Sequence, residues 1–211
     1  MFQIKNVTLT HKKDLRTIIE DFSLVLNDGD RVVMIGEEGN GKSTLMKWII
    51  DPGLVEDYIE GTGEKMTGGE KPGYLPQELP ECDRDKTVYE YFDESDGFRE
   101  LTPKELSGMA GDFGVKPDFY YREQTMRTLS GGERVKAQMM RILTERPTIL
   151  LLDEPTRNFS PLSGSVIRKM IGEFPGAVIS VSHDRKYLYE VCDRILELTP
   201  EGLRDTTESF R

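Results

Sequence analysis

Residues 36–43 read Gly36-Glu37-Glu38-Gly39-Asn40-Gly41-Lys42-Ser43, the pattern G-x-x-x-x-G-K-S. Its glycines permit a backbone turn whose N–H groups converge on an anion, and the lysine adds a positive charge. An apolar run, Val32–Ile35, precedes the turn, and a helix-prone run, Ser43–Ile50, follows it. A strand, a glycine-rich turn and a helix in this order predict a loop that binds the phosphates of a nucleotide. The alternative is an ordinary glycine turn without a ligand.

The residues of such a loop have distinct expected roles. Lys42 would lie between the β- and γ-phosphates, and the Ser43 hydroxyl would bind Mg²⁺. The full set expected to hold the nucleotide is Gly36, Glu37, Glu38, Gly39, Asn40, Gly41, Lys42, Ser43 and Thr44.

Length and composition limit the classes of protein to consider. The chain has 211 residues, enough for one domain or for one core with a subdomain inserted in it. No apolar stretch reaches about 18 residues, and the N-terminus lacks the apolar core of a signal peptide, so we expect no direct membrane insertion. The net charge of −10 counts against broad attraction to nucleic acid, and we expect no DNA partner. Cys82 and Cys192 form no metal-ligand pattern and are expected to be reduced thiols of a cytoplasmic protein.

Hydrophobic patterning along the chain predicts an α/β domain. Residues 2–35 alternate apolar and polar positions with turn residues at 27–30, which indicates half-buried strands and a hairpin. Residues 51–73 indicate loop and short edge strands. Residues 78–128 contain short helical patterns broken by glycine and proline, and we interpret them as an inserted helical subdomain.

The remaining third of the chain alternates strands and helices. Ser130, with Glu133 three residues later, forms a capping-box pattern that predicts the start of a helix. Elements then follow at 149–152 (strand), 165–173 (helix), 177–182 (strand), 185–191 (helix) and 195–198 (strand). This alternation predicts a mainly parallel sheet covered by helices.

Four more motifs follow the phosphate loop in a fixed order. They are Gln77 after a short apolar run, Leu129-Ser130-Gly131-Gly132-Glu133, Asp153-Glu154 at the end of an apolar run, and Ser182-His183-Asp184. Together with the loop they resemble the Q-loop, signature, Walker B and switch-histidine motifs of an ATP-binding cassette (ABC) ATPase. The resemblance extends from residue 2 to about residue 198. It implies a P-loop NTPase core that spans residues 1–211, with an N-terminal antiparallel β part and the inserted helical subdomain at 78–128.

The resemblance also implies the chemistry of individual residues, with ATP and Mg²⁺ as cofactors. Asp153, Ser43 and Gln77 would hold Mg²⁺, and Glu154 would accept a proton from the attacking water. His183 and Lys42 would stabilise charge that develops on the phosphate. His11 falls where the family has an aromatic residue that stacks on adenine; the alternative is an exposed loop histidine.

The signature implies a second subunit. In the family, the residues equivalent to Ser130, Gly131 and Gly132 close over ATP held by another cassette. A chain with one phosphate loop and one signature therefore needs a partner cassette, and a second copy of this chain in a head-to-tail homodimer is the economical choice.

Within the family, the motif sequences look most like the ABC-F branch, whose members are soluble cassette proteins that act on ribosomes. The motifs are Tyr74–Glu78, Leu129–Lys136 and Val181–Arg185. ABC-F proteins usually join two cassettes, whereas this chain has one, and the segment between Gln77 and Leu129 is too short for an inserted arm.

A second departure follows Walker B. Where the branch usually has Asn-His-Leu-Asp, this chain has Arg157-Asn158-Phe159-Ser160, which puts Ser160 at the aspartate position of the D-loop.

Two functions follow from these observations. In the first, the chain is the ATP-binding subunit of a transporter, cytoplasmic and held at the inner face of the membrane by a permease subunit. In the second, it is a soluble ABC-F-like nucleotide switch that acts on the ribosome or another cytosolic partner. The motif sequences favour the switch, whereas the single cassette and the acidic 78–128 segment favour the transporter subunit. A weaker alternative is that the chain is one half of a longer protein.

Overall fold

The computed structural model describes residues 2–160, 164–199 and 202–210. The remaining positions of the predicted domain lie outside the described residues. The strands are β1 (Phe2–His11), β2 (Thr17–Leu26), β3 (Arg31–Ile35), β4 (Ile59–Thr67), β5 (Pro72–Leu75), β6 (Ile149–Asp153), β7 (Ala177–Val181), β8 (Arg194–Thr199) and β9 (Gly202–Asp205). The α-helices are α1 (Lys42–Ile50), α2 (Glu81–Arg84), α3 (Val88–Asp93), α4 (Asp96–Arg99), α5 (Pro103–Asp112), α6 (Gly131–Thr144), α7 (Gly164–Glu173), α8 (Arg185–Val191) and α9 (Thr207–Phe210). Short 3₁₀ helices lie at Pro52–Leu54, Pro117–Tyr121 and Met126–Thr128.

A mainly parallel sheet carries the motifs. Among the described residues it has six strands in the order β5-β6-β7-β3-β8-β9, of which β9 is antiparallel to β8. β6 and β7 are buried at every position. One face of these mostly apolar strands packs against helices, and the other packs against α1 and the antiparallel sheet. The predicted parallel sheet is confirmed. Its carboxyl edge brings together the loop after β3 and the polar residues after β5, β6 and β7.

The N-terminal part forms a separate antiparallel sheet, with the order β2-β1-β4 among the described strands. The hairpin of this sheet joins β1 to β2, and the turn at 27–30 instead carries the chain into the parallel sheet. A bulge between Ile4 and Val7 interrupts the alternation, and Asn6 there has a left-handed φ of 50°. β4 is a nine-residue strand, longer than the short edge strands that the sequence predicts for 51–73.

The regular elements that the structure describes within residues 78–128 are short α- and 3₁₀ helices, joined by turns and by an isolated bridge between Thr87 and Thr125. Phe92 packs against Phe98 and Tyr120 with ring centroids 5.2 and 5.0 Å apart. These aromatic residues belong to the same buried cluster as Leu150 of the parallel sheet. That packing fits the predicted inserted subdomain, which remains an interpretation.

Arg31 at the start of β3 is a buried charge that the sequence does not reveal. Only 6% of Arg31 is exposed, and burial lowers the pKa of its guanidinium. Its nitrogens donate to the backbone carbonyl oxygens of Ile171, Gly176 and Phe174, among others. Arg31 thereby satisfies the carbonyls at the end of α7 and holds this helix against the sheet.

No helix in the described ranges is long and apolar enough to cross a membrane.

Candidate functional site

The phosphate loop passes close to β8. Gly36 has a φ of 143°, and a Cβ atom there would lie 2.5 Å from the carbonyl oxygen of Leu198, so only glycine fits. The Lys42 ammonium donates to the carbonyl oxygens of Gly36 at 2.8 Å and Glu37 at 2.6 Å. Lys42 is 7% exposed, and burial lowers its pKa, although the carboxylates of Glu154, Asp153 and Glu38 counteract this. The loop is therefore built around a buried cation.

The first backbone N–H groups of α1 donate no hydrogen bond to a capping side chain. The N-cap residue is Gly41, which has no side chain to accept a hydrogen bond, and the first turn of α1 contains no acidic residue. The first N–H groups of α1 and the positive end of its helix dipole are therefore available to a ligand in the loop. This is the arrangement that an anion such as a phosphate requires.

Asp153 ends β6 beside the start of α1. It is 3% exposed, and burial raises the pKa of its carboxyl above the ordinary value, while a hydrogen bond with Ser43 counteracts the shift. A buried carboxylate is costly unless it meets a cation. Within the described residues, no group of three or more His, Cys, Asp or Glu side chains is placed to hold a metal ion.

Glu154 has a strained backbone and a perturbed side chain. Its φ of 55° is left-handed, which is unusual for a residue other than glycine, and its N–H donates to the Val181 carbonyl oxygen at 2.9 Å. Burial raises the pKa of its carboxyl, and His183 opposes that shift. The Oε1 atom of Glu154 lies 3.8 Å from Nε2 of His183. Strain and desolvation thus coincide at the residue that the sequence predicts as the general base.

A cavity of about 590 Å³ joins these groups, which is within the usual size range of ligand pockets. Its lining includes the predicted site residues His11, Glu38, Gly39, Gly41, Lys42, Ser43, Thr44, Gln77, Asp153, Glu154 and His183. Gln77 lies just after β5 and is exposed on the cavity wall. The structure therefore brings together residues from four separate motifs.

The signature lies outside this cavity. Ser130 accepts a hydrogen bond from the Glu133 N–H and donates to the Glu133 carboxylate at 2.7 Å, which confirms the predicted capping box. These hydrogen bonds lower the pKa of Glu133. A Cβ atom on Gly131 would lie 2.9 Å from the Cβ atom of Asn158, so the signature packs tightly against the D-loop of its own chain. Ser130, Gly131 and Gly132 therefore do not contact the phosphate loop within one chain.

The part of the cavity formed by β1, β4 and the β1–β2 hairpin, here called the base-binding end, includes residues that the motifs did not indicate. His11 is paired with Ile59 across β1 and β4, which brings Tyr58 next to it, with ring centroids 6.0 Å apart and planes at 48°. Arg16 and Ile18, from the β1–β2 hairpin, complete this end. Tyr58 is an aromatic residue before a strand, but only the β1–β4 pairing places it at the site. Arg157, which the sequence shows as a departure from the ABC-F pattern, also lines the cavity.

A larger cavity, about 720 Å³, lies between α5, α6 and α7. Its floor includes Leu143, Met170 and Phe174, and its lining contains none of the motif residues. The motif cavity is therefore the candidate site.

The comparison with known families agrees with this site. The family model described as ABC transporter matches residues 19–157. ABC transporter F family member 2 of Arabidopsis thaliana is 32% identical over 195 residues, which are 91% of this chain and 27% of that protein. ATP-binding protein Uup of Escherichia coli K12 is 31% identical over 178 residues, which are 82% of this chain and 27% of that protein.

A solved structure supports the fold. An ABC transporter in an inward-facing conformation superimposes with a TM-score of 0.75 over 97% of this chain and 82% of that chain, at 16% identity. The chain spans less than a third of the length of the two sequence relatives. The motifs, the cavity and the match over residues 19–157 agree, so the chain belongs to the ABC transporter family and carries its ATP-binding cassette, an ATPase domain similar to that of ABC-F proteins.

Proposed function

We propose that the protein hydrolyses Mg-ATP between two cassettes arranged head to tail, as the ATP-binding subunit of a transporter. One observation supports the proposed hydrolysis. A single cavity is lined by residues of three separate motifs, namely Lys42, Asp153 with Glu154, and His183. In this arrangement Lys42 binds the phosphates and Glu154 accepts the proton of the attacking water. His183, 3.8 Å from Glu154, donates to the phosphate being transferred.

The residues present fit Mg²⁺. Asp153 is a buried carboxylate, and its hydrogen-bond partner Ser43 is a hydroxyl at the first turn of α1. One or two carboxylates plus phosphate oxygens are the usual ligands of Mg²⁺ in nucleotide sites. Ser43 and Asp153 would hold the ion together with Gln77, which lines the same cavity, and the ion would supply positive charge to the phosphates.

A second cassette would complete the site. The signature lies outside the phosphate cavity of its own chain, and Ser130 is bound to Glu133. The α6 terminus can therefore bind a phosphate only from another chain, provided Glu133 moves away from Ser130. We infer that ATP joins the phosphate loop of one copy to the signature of a second, and that hydrolysis separates them.

This assembly predicts that Glu154→Gln accumulates as a dimer in Mg-ATP, because slowed hydrolysis preserves the ATP that joins the subunits. Light scattering at tens of micromolar protein should show twice the parent mass, and Glu154→Gln combined with Ser130→Arg should stay monomeric. A dimer that is indifferent to Ser130→Arg would place the interface elsewhere. A monomer in both variants would indicate a different partner cassette.

The base-binding end predicts a role for Tyr58. Stacking of a base on an aromatic ring is worth about 1–3 kcal/mol, so Tyr58→Ala should weaken ATP binding by roughly tenfold. His11→Ala should have a smaller effect because imidazole stacks more weakly. Binding of inorganic triphosphate, which has no base, is the control and should be the same in all three proteins. Equal ATP affinity in Tyr58→Ala and parent would exclude Tyr58 as the platform.

A second function has its own support. The two relatives above are an ABC transporter F family member and Uup, and the ABC-F resemblance implies a cytosolic partner such as the ribosome rather than a permease. Fractionation of cells at low salt separates the two functions. Retention with membranes supports the transporter subunit, and cosedimentation with ribosomes supports the switch.

A further inference from the structure

The D-loop departure Arg157-Asn158-Phe159-Ser160 puts a long cation three residues after the predicted general base. The backbone N–H of Arg157 donates to the carbonyl oxygen of Glu154 at 3.1 Å, which fixes the start of the D-loop against the end of β6. Arg157 lines the phosphate cavity together with Lys42, Ser43 and Glu154. It also lines a smaller adjoining cavity of about 380 Å³. This side chain therefore lies at the boundary of the nucleotide site.

The guanidinium of Arg157 has no hydrogen bond or salt bridge within residues 2–160, 164–199 and 202–210. Several other arginines have such partners, whereas the exposed Arg16 and Arg185, like Arg157, have none among the described residues. Arg168 pairs with Glu190 at 2.5 Å, and Arg134 donates to the carbonyl oxygens of Met126 and Leu129 at 3.2 and 3.1 Å. Arg157 is exposed and acts on the cavity only at longer range, where its charge slightly lowers the pKa values of Asp153 and Glu154. Its planar set of N–H donors is available for a ligand.

The charges that line the cavity indicate what Arg157 could bind. Lys42, whose ammonium also donates to the carbonyl oxygens of Gly36 and Glu37, is one cation of the cavity, whereas Asp153 and Glu154 contribute two carboxyl groups to its lining. A terminal phosphate in this region would meet two carboxylates, and guanidinium groups bind phosphate with two parallel hydrogen bonds. In other nucleotide hydrolases, an arginine that reaches the transferred phosphate stabilises the charge that develops on it.

We propose that Arg157 donates hydrogen bonds to the γ-phosphate of ATP held by the loop of its own chain, and thereby makes the site prefer ATP to ADP. This inference rests on the proposed function for its effect on rate. In that step the water oxygen bonds to the γ-phosphorus as the bond from this phosphorus to the β–γ bridging oxygen breaks. The water proton goes to Glu154, ADP leaves, and Arg157 neutralises charge on the γ-phosphate oxygens throughout.

The test compares the parent with Arg157→Ala, Arg157→Lys and the control Arg185→Ala. Arg185 is also exposed and lines the adjoining cavity, but not the phosphate cavity, so its replacement removes the same charge nearby. Dissociation constants are measured with Mg²⁺ for ADP and for the non-hydrolysable analogue AMP-PNP. Submicromolar protein is used, and light scattering with AMP-PNP checks that the chain is monomeric under these conditions. The unfolding midpoint without nucleotide checks that each variant folds.

Arg157→Ala should weaken AMP-PNP binding by about tenfold or more and ADP binding by less than twofold, since only the former has a γ-phosphate. Arg157→Lys should lie between Ala and the parent, and Arg185→Ala should match the parent. An unchanged ratio of the two constants in Arg157→Ala, or an equal loss for both nucleotides, would overturn the inference. Phosphate release by the parent is measured separately, so an absence of turnover contradicts the proposed hydrolysis but not the role of Arg157 in binding.

Discussion

Replacing Glu154 with Gln should lower the rate of phosphate release from ATP by about 10²- to 10⁴-fold, the usual contribution of a general base. The amide keeps the size of the side chain but cannot accept the proton of the attacking water. Glutamine is as tolerant of the left-handed backbone at φ 55° as glutamate, so the fold should be retained. Steady-state phosphate release at saturating Mg-ATP gives the rate.

Glu173→Gln is a matched control, because Glu173 is 69% exposed at the end of α7 and outside the phosphate cavity. It should hydrolyse ATP like the parent. Turnover of Glu154→Gln within a factor of two of the parent would exclude the assigned role.

The same residue predicts the acid side of the pH–rate profile. Burial raises the pKa of Glu154, so its carboxyl becomes protonated at a higher pH than an exposed glutamate does. Below that pKa it cannot accept a proton, so the rate should fall on the acid side at a higher pH than it would with an exposed glutamate as the base. The residual activity of Glu154→Gln should lack this acid limb.

Replacing Lys42 with Ala should weaken ATP binding by about tenfold to a hundredfold, because hydrogen bonds to charged groups contribute about 1.5–3 kcal/mol. Lys42 is the buried cation of the loop, and its ammonium also bridges the carbonyl oxygens of Gly36 and Glu37. Its replacement therefore removes both a phosphate contact and an internal link of the loop. Thermal unfolding with increasing Mg-ATP measures the effect, since a ligand that binds the folded state raises the midpoint.

Lys169→Ala is the control, because Lys169 is 74% exposed on α7, outside the phosphate cavity. ATP should protect it as well as it protects the parent. Equal protection of Lys42→Ala would show that the phosphate loop is wrongly assigned.

The strands and helices that carry the motifs could be predicted because their signals are local. Continuous apolar runs at 149–152 and 177–181 indicate buried parallel strands, and the capping box at Ser130 marks the start of α6. The position of the hairpin between β1 and β2 and the length of β4 were less predictable. Turn residues at 27–30 indicate a change of direction, but not which sheet the chain enters next.

The sequence by itself determined the family, the phosphate loop and the order of the motifs, because those features depend on residue types at fixed spacing. Only the tertiary structure placed Tyr58 beside His11, since that neighbour relation arises from the pairing of β1 with β4. The same holds for Arg157, whose position at the cavity depends on how the chain turns after β6. The left-handed backbone of Glu154 is likewise a property of that turn, held by a hydrogen bond to β7. Contacts between distant segments leave no local pattern, so they become visible only when the sheets have formed.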